Sequence, residues 1–150
     1  MSNTVQVTIL NRLKVVIAAD YNAGYSGLDL RDRVVIGAPI GANQVPSANI
    51  TFIDTIEQQG RTLGRYLGES VYQIVCYAGG GTLEARVQNA MNLAGDIQKA
   101  ITSDRTLGLS GQTQDVLVNF TALDGEEYGI SQTGISLIEV RVTHQSIYGV

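Results

Sequence analysis

The chain has 150 residues, of which 44% are hydrophobic and 16% charged. That size and balance fit one folded domain with a substantial core and exclude a disordered polymer. A net charge of -4 and a pI near 4.8 argue against a protein whose main work is neutralising nucleic-acid phosphates, which needs a cationic surface. A single cysteine and a single histidine leave no intramolecular disulfide and no multi-histidine metal site.

Residues 4–19 place Val5, Ile9, Leu13, Val16 and Ile17 on one helical stripe, with Ser2 or Asn3 as the expected cap. Residues 1–20 lack a basic start followed by an uninterrupted apolar segment, and no apolar run approaches a membrane span. The reading is a soluble protein of a reducing compartment, or one released within a larger particle. Residues 28–65 hold both prolines, Pro39 and Pro46, and two short apolar runs, 34–36 and 50–53. Frequent proline and glycine predict edge strands or hairpin arms there rather than central strands.

Residues 71–77 read as a half-buried strand, rich in β-branched and aromatic side chains. Gly79, Gly80 and Gly81 break it, and Thr82 stands where an N-cap belongs. A long amphipathic helix follows, with Leu83, Val87, Ala90, Met91, Ala94, Ile97 and Ile101 as its apolar stripe. Residues 105–113 form a loop. Val116, Val118 and Phe120, then Ile138, Val140 and Val142, alternate with their neighbours in the period of strands buried on one face. Residues 122–134 between them carry a turn signal at Asp124 and Gly125 and the acidic pair Glu126 and Glu127, and project as an arm or loop. The fold class expected is α+β in a single domain spanning residues 1–150. A mixed or antiparallel sheet is packed by an N-terminal helix and one long central helix, with projecting β-hairpin arms.

The strand, glycines and helix invite a phosphate-binding reading, but both templates fail at the residue that carries the chemistry. The third glycine of a dinucleotide fingerprint is replaced by Glu84, and the lysine of a phosphate loop by Thr82. The plainer reading is a chain reversal with Glu84 complementing the helix dipole. A small phosphate-ligand-binding domain or enzyme built on this turn is kept as the alternative. His144 shares the apolar face of Val140 and Val142 if the alternation holds, which favours a packed or interfacial residue over a catalytic one. Cys76, amid Ile74, Val75 and Tyr77, reads as a buried, inert thiol. No metal or cofactor set emerges. Arginine outnumbers lysine, and Arg31, Arg33, Arg61 and Arg65 fall in expected loops or strands, a bias that suits subunit contacts. Tyr128, with Tyr21, Tyr25, Tyr66 and Tyr148, lies at loop or element ends where an amphipathic ring serves a contact surface.

Taken whole, the sequence resembles the tail-terminator, or tail-completion, proteins of long-tailed bacteriophages. The resemblance rests on size and element order: an N-terminal helix (4–19), a β-hairpin excursion (34–53), a central strand (71–77), a long helix (83–101) and two closing antiparallel strands (115–123 and 135–144). A tyrosine near the end, Tyr148, and the stretch 100–108 after the helix add to it. The resemblance implies a non-enzymatic, cofactor-free assembly protein that forms a hexameric ring on the head-proximal end of the tail tube and receives the head connector. Its partners would be further copies of itself, the tail-tube protein, the connector or adaptor and sheath-related proteins, with genomic DNA passing through the lumen unbound and no membrane. It would reside in the virion tail or neck after assembly in the host cytoplasm. Asp124, Glu126, Glu127 and Tyr128 would serve as a lumen or docking element, and Arg31, Arg33, Arg61 and Arg65 would meet neighbouring subunits. Another head–tail adaptor or tail protein is the nearest alternative within that class.

Overall fold

The computed structural model describes residues 4–19, 33–37, 47–57, 65–103, 107–109, 113–124 and 133–147. Helix α1 (Val5–Ala19) opens the chain. Its cap is Thr4, whose carbonyl accepts from Thr8 N at 3.0 Å and whose hydroxyl accepts from Val7 N at 3.4 Å; the expected caps Ser2 and Asn3 lie outside the described residues. Ile9, Leu13 and Ile17 are buried as the stripe predicts.

Strands β1 (Val34–Ile36), β2 (Ser47–Glu57), β3 (Arg65–Gly79), β4 (Thr113–Asp124) and β5 (Thr133–Ile147) form one five-stranded sheet in the order β1-β2-β3-β5-β4. The sheet is mixed: β1 runs parallel to β2, and every other pair is antiparallel. Two expectations change here. Residues 34–36 and 50–53 are not the arms of a hairpin, because their strands are parallel; the hairpin partners are β2 with β3 and β4 with β5. The second run is an edge only in part: through Ile50, β2 lies between β1 and β3, with Ala48 and Ile50 fully buried, whereas residues 51–53 have β3 alone beside them among the described residues. Pro39 and Pro46 fall outside β2, so they punctuate its approach and leave its ladder intact.

Helix α2 (Leu83–Thr102) and α1 cover one face of the sheet. The register puts Tyr72, Ile74 and Cys76 opposite Val140, Ile138 and Ser136, and Val116 and Val118 opposite Val142 and Val140. These side chains, with Ile9, Leu13, Leu93, Ala94, Ile97 and Ile101 from the helices, form the main core. Burying each large aliphatic side chain contributes about 1.5–3 kcal/mol. Cys76 is in this core, where burial pushes its thiol pKa far up and keeps it protonated.

The stripe of α2 is rotated from the one its hydrophobicity suggests. Leu83 and Met91 are 55% and 47% exposed, whereas Leu93, which the period-based stripe omits, is fully buried and Arg86 shares the buried face. The cause is small-residue packing. A Cβ added at Gly134 would lie 2.2 Å from Arg86 O and one at Gly80 2.7 Å from Arg86 N, so the helix rests directly on the sheet around Arg86 and Ala90. Ser136 Oγ donates to Ala90 O at 2.6 Å, and Asn89 Nδ2 to Gly79 O at 2.8 Å, pinning that rotation.

After α2, Leu107 turns back into the core at φ 55, 1% exposed, with its carbonyl accepting from Arg12 Nε at 2.6 Å. A residue of the expected polar loop is therefore a core residue.

Candidate functional site

Three places carry candidate chemistry: the glycine turn, the histidine, and the sheet face that bears no helix among the described residues, with its strand edges.

At the turn, Gly79 closes β3 and Gly80 passes against the first turn of α2. Thr82 is the N-cap, in an extended conformation, and its hydroxyl accepts from Ala85 N at 3.1 Å. Glu84 stands in the first turn and accepts from Gln88 Nε2 at 3.2 Å. A Cβ at Gly80 would meet the backbone of Ala85 and Arg86, and the Thr82 hydroxyl is engaged by Ala85 N, whereas a Cβ at Gly81 would have nothing within 4 Å. The chemistry of the turn is spent on capping and close packing.

His144 does share the face of Val140 and Val142, and it is fully buried. Its Nε2 lies 2.6 Å from Ser70 Oγ, which lies 2.8 Å from Thr55 Oγ1. Gln6 Nε2 donates to that same Thr55 hydroxyl at 3.3 Å, and Tyr72 OH donates to Gln6 O at 2.8 Å. The chain of hydrogen bonds joins β5, β3, β2 and α1. Ser70 and His144 are spaced like a nucleophile and its base, but both are 0% exposed, and a reacting substrate has no approach to them. Burial lowers the His144 pKa, so the neutral ring is the form the fold holds. Sequence reasoning missed Ser70 as the partner, because a diagonal contact between strands far apart in sequence depends on register alone.

The face away from the helices carries both a polar ladder and apolar side chains. Arg141 Nη1 bonds Glu69 Oε1 at 3.0 Å, and Arg141 Nε bonds Glu139 Oε1, so one guanidinium joins carboxylates on two strands. Glu139 and Glu69 together hold the Arg141 pKa above its usual range. Beside the ladder lies an open cleft of about 340 Å³ lined by Ile53, Val71, Gln73, Asn119, Leu137 and Glu139, with Tyr72 and Ile138 at its floor. Leu117 and Ile53 are 58% and 52% exposed at opposite sides of this face. Ile53 is there because the β2–β3 register shifts between Phe52 and Asp54, which leaves it without a partner in that ladder.

Of the predicted contact residues, Arg33, Arg65 and Asp124 lie among the described ones. Arg33, half-buried, precedes β1 and its carbonyl accepts from Ala48 N at 3.0 Å. Arg65 opens β3 opposite Ile147, whereas Asp124 closes β4 opposite Gly134 at the other end of the sheet. Arg31, Arg61, Glu126, Glu127 and Tyr128 lie outside the described residues. Among the described residues no group of His, Cys, Asp and Glu is arranged to hold a metal, and no helix is long and apolar enough to cross a membrane.

No family model matches the chain, and no curated protein does. Among solved structures, the fold matches a chain of the virion of a native gene transfer agent (GTA) particle. The TM-score is 0.59 at 11% identity, and the match covers 95% of this chain and 96% of that chain. This likeness is one of fold: the same α+β arrangement over nearly the whole of both chains.

Proposed function

We propose that the chain is a structural component of a phage-like particle: a tail-terminator or neck protein that forms a ring, six-membered by its resemblance, capping the tail tube and joining it to the head connector. The observation that carries this reading is the end-to-end fold match to a chain of a gene transfer agent virion.

The interior supports an architectural role. The residues with the best chemical credentials, His144, Ser70, Cys76 and Thr82, are used in packing, hydrogen bonding and capping. The partners on this reading are copies of the same chain, the tail-tube protein, the connector and adjoining sheath-related proteins. An acidic chain of net charge -4 suits a lumen through which DNA slides without sticking. The protein then resides in the tail or neck of the virion, after assembly in the host cytoplasm, and works without cofactor or catalysis.

Native mass spectrometry of the purified full chain, with class averages from negative-stain microscopy, tests the ring. A single closed oligomer with a central opening is expected. A strictly monomeric protein that stays so when mixed with tail tubes would overturn the reading. A thermal-shift screen against nucleotides and inorganic phosphate separates it from the phosphate-site alternative, for which stabilisation should vanish in Gly80→Ala.

A further inference from the structure

The sheet ends on two strand edges, β4 and the part of β2 beyond its pairing with β1, and the β2 edge carries the register shift between Phe52 and Asp54. Strand β4 is last in the order, so among the described residues no strand lies on its far side. It runs from Thr113 to Asp124, a long edge, and contains no Lys, Arg or Pro. Natural sheets usually blunt such edges with those residues or with brevity. Residues 117–121 carry no charge at all. At the other side, β1 pairs only with Ala48, Asn49 and Ile50 of β2, so residues 51–57 have no strand on that side among the described residues. Exposed apolar side chains flank both edges: Leu117 on β4, Phe52 (41%) and Ile53 (52%) on β2.

We infer that these two edges are the two halves of one interface, in which residues 117–121 of one copy pair with residues 52–56 of the next copy and continue the sheet from subunit to subunit. The inference rests on the ring reading for its occupant, a second copy of this chain, and goes beyond it in naming the strands that meet. Three features of the fold argue for that occupant. The first is direction. From β2 through β3 and β5 to β4 every neighbour is antiparallel, so β4 runs opposite to β2. A rotation about an axis along the strands keeps every strand's direction, so β4 meets the next copy's β2 antiparallel, which is the favoured pairing of short edges.

The second is charge. Both strands carry carboxylates, Asp54 and Glu57 on β2, Asp115 and Asp124 on β4. Directly opposed like charges destabilise a sheet. Centring the uncharged residues 117–121 on Asp54 removes every such opposition within the paired segment and sets Asn119 across from Asp54. The third is face. Asn119 lies opposite Glu139, which lies opposite Gln73, and Asp54 lies opposite Val71, so both point to the helix-free side. Both are exposed, and a side-chain amide donating to a carboxylate across the joint is stronger than a neutral pair. Because the two edges are different surfaces, the contact is head-to-tail, and it gives the ring of the proposed function when the rotation between copies closes.

The test uses the full-length chain with Asp54→Cys and Asn119→Cys together, and each substitution alone. Directly opposed Cα atoms about 4.5–5.5 Å apart lie within the range a disulfide spans, and the native Cys76 is fully buried and silent. Mild oxidation with diamide should convert the double variant into a covalent ladder ending at the size of the closed oligomer on a non-reducing gel. Each single variant should give none, since head-to-tail pairing never opposes a residue to its own copy. Independently, Leu117→Lys, placed on a side chain 58% exposed, should keep the wild-type melting temperature within a few degrees and shift the protein to monomer. A wild-type ring with no ladder in the double variant, or with Leu117→Lys still assembled, overturns the inference and leaves the ring reading standing. A wild type that is monomeric both free and with tail tubes overturns both.

Discussion

His144 is held where a charged imidazole would lose its hydration and Ser70 is the group nearest its Nε2. Burial lowers its pKa below the usual 6.5, so the unfolded chain binds a proton more readily than the native one. Stability from this group is therefore complete above the unfolded value and is lost as the pH falls through it toward the lowered native value. With one histidine in the chain, urea titrations at about pH 7.5 and about pH 5.5 isolate the effect. The wild type should lose stability at the lower pH, and His144→Gln, less stable at both, should lose less between them. Glycine substitutions form a second residue-scale test. Gly134→Ala, whose Cβ would lie 2.2 Å from a helix carbonyl, should cost about 1–3 kcal/mol or more by overpacking. Gly81→Ala meets nothing within 4 Å and should stay within about 0.5 kcal/mol of wild type. If the two glycines behave alike in urea unfolding, the close approach of α2 to the sheet is wrong.

At the scale of elements, α2 shows where sequence and structure part. Its existence, its cap at Thr82 and its buried Ala90, Ala94, Ile97 and Ile101 follow from periodicity and capping chemistry. Its rotation does not, because that depends on Gly134 and Ser136, residues on a strand far along the chain that let the helix settle near Arg86 and Ala90. Leu93→Ala should accordingly cost about 2–5 kcal/mol, whereas Met91→Ala, at 47% exposure, should change stability by less than about 1 kcal/mol. Chemical denaturation separates the two, and a reversed order would return α2 to the rotation its hydrophobic stripe suggests. Strands 116–121 and 138–143 were legible through strict alternation, and the face of His144 with them. The inner position of residues 48–50 in β2 was not, since pairing partners are a long-range property and proline near a strand's start looks the same on paper as proline within it. The candidate site was the least legible part. Residue type points to contact surfaces in general, but Arg65 and Asp124 sit at opposite ends of the sheet, while the exposed Leu117, Phe52 and Ile53 carry no motif that marks an edge.

For the whole molecule, the described residues form one sheet with helices on a single face, and among them nothing covers the other face or the outer side of β4. Its fold is like that of a chain in a gene transfer agent virion. We propose that it terminates a tail tube. Purified protein mixed with assembled tail tubes and viewed by negative-stain electron microscopy tests this most directly. A ring of density is expected at one end of each tube, and capped tubes should no longer elongate when tube protein is added. Tubes that keep bare ends and continue to grow at saturating protein would contradict it.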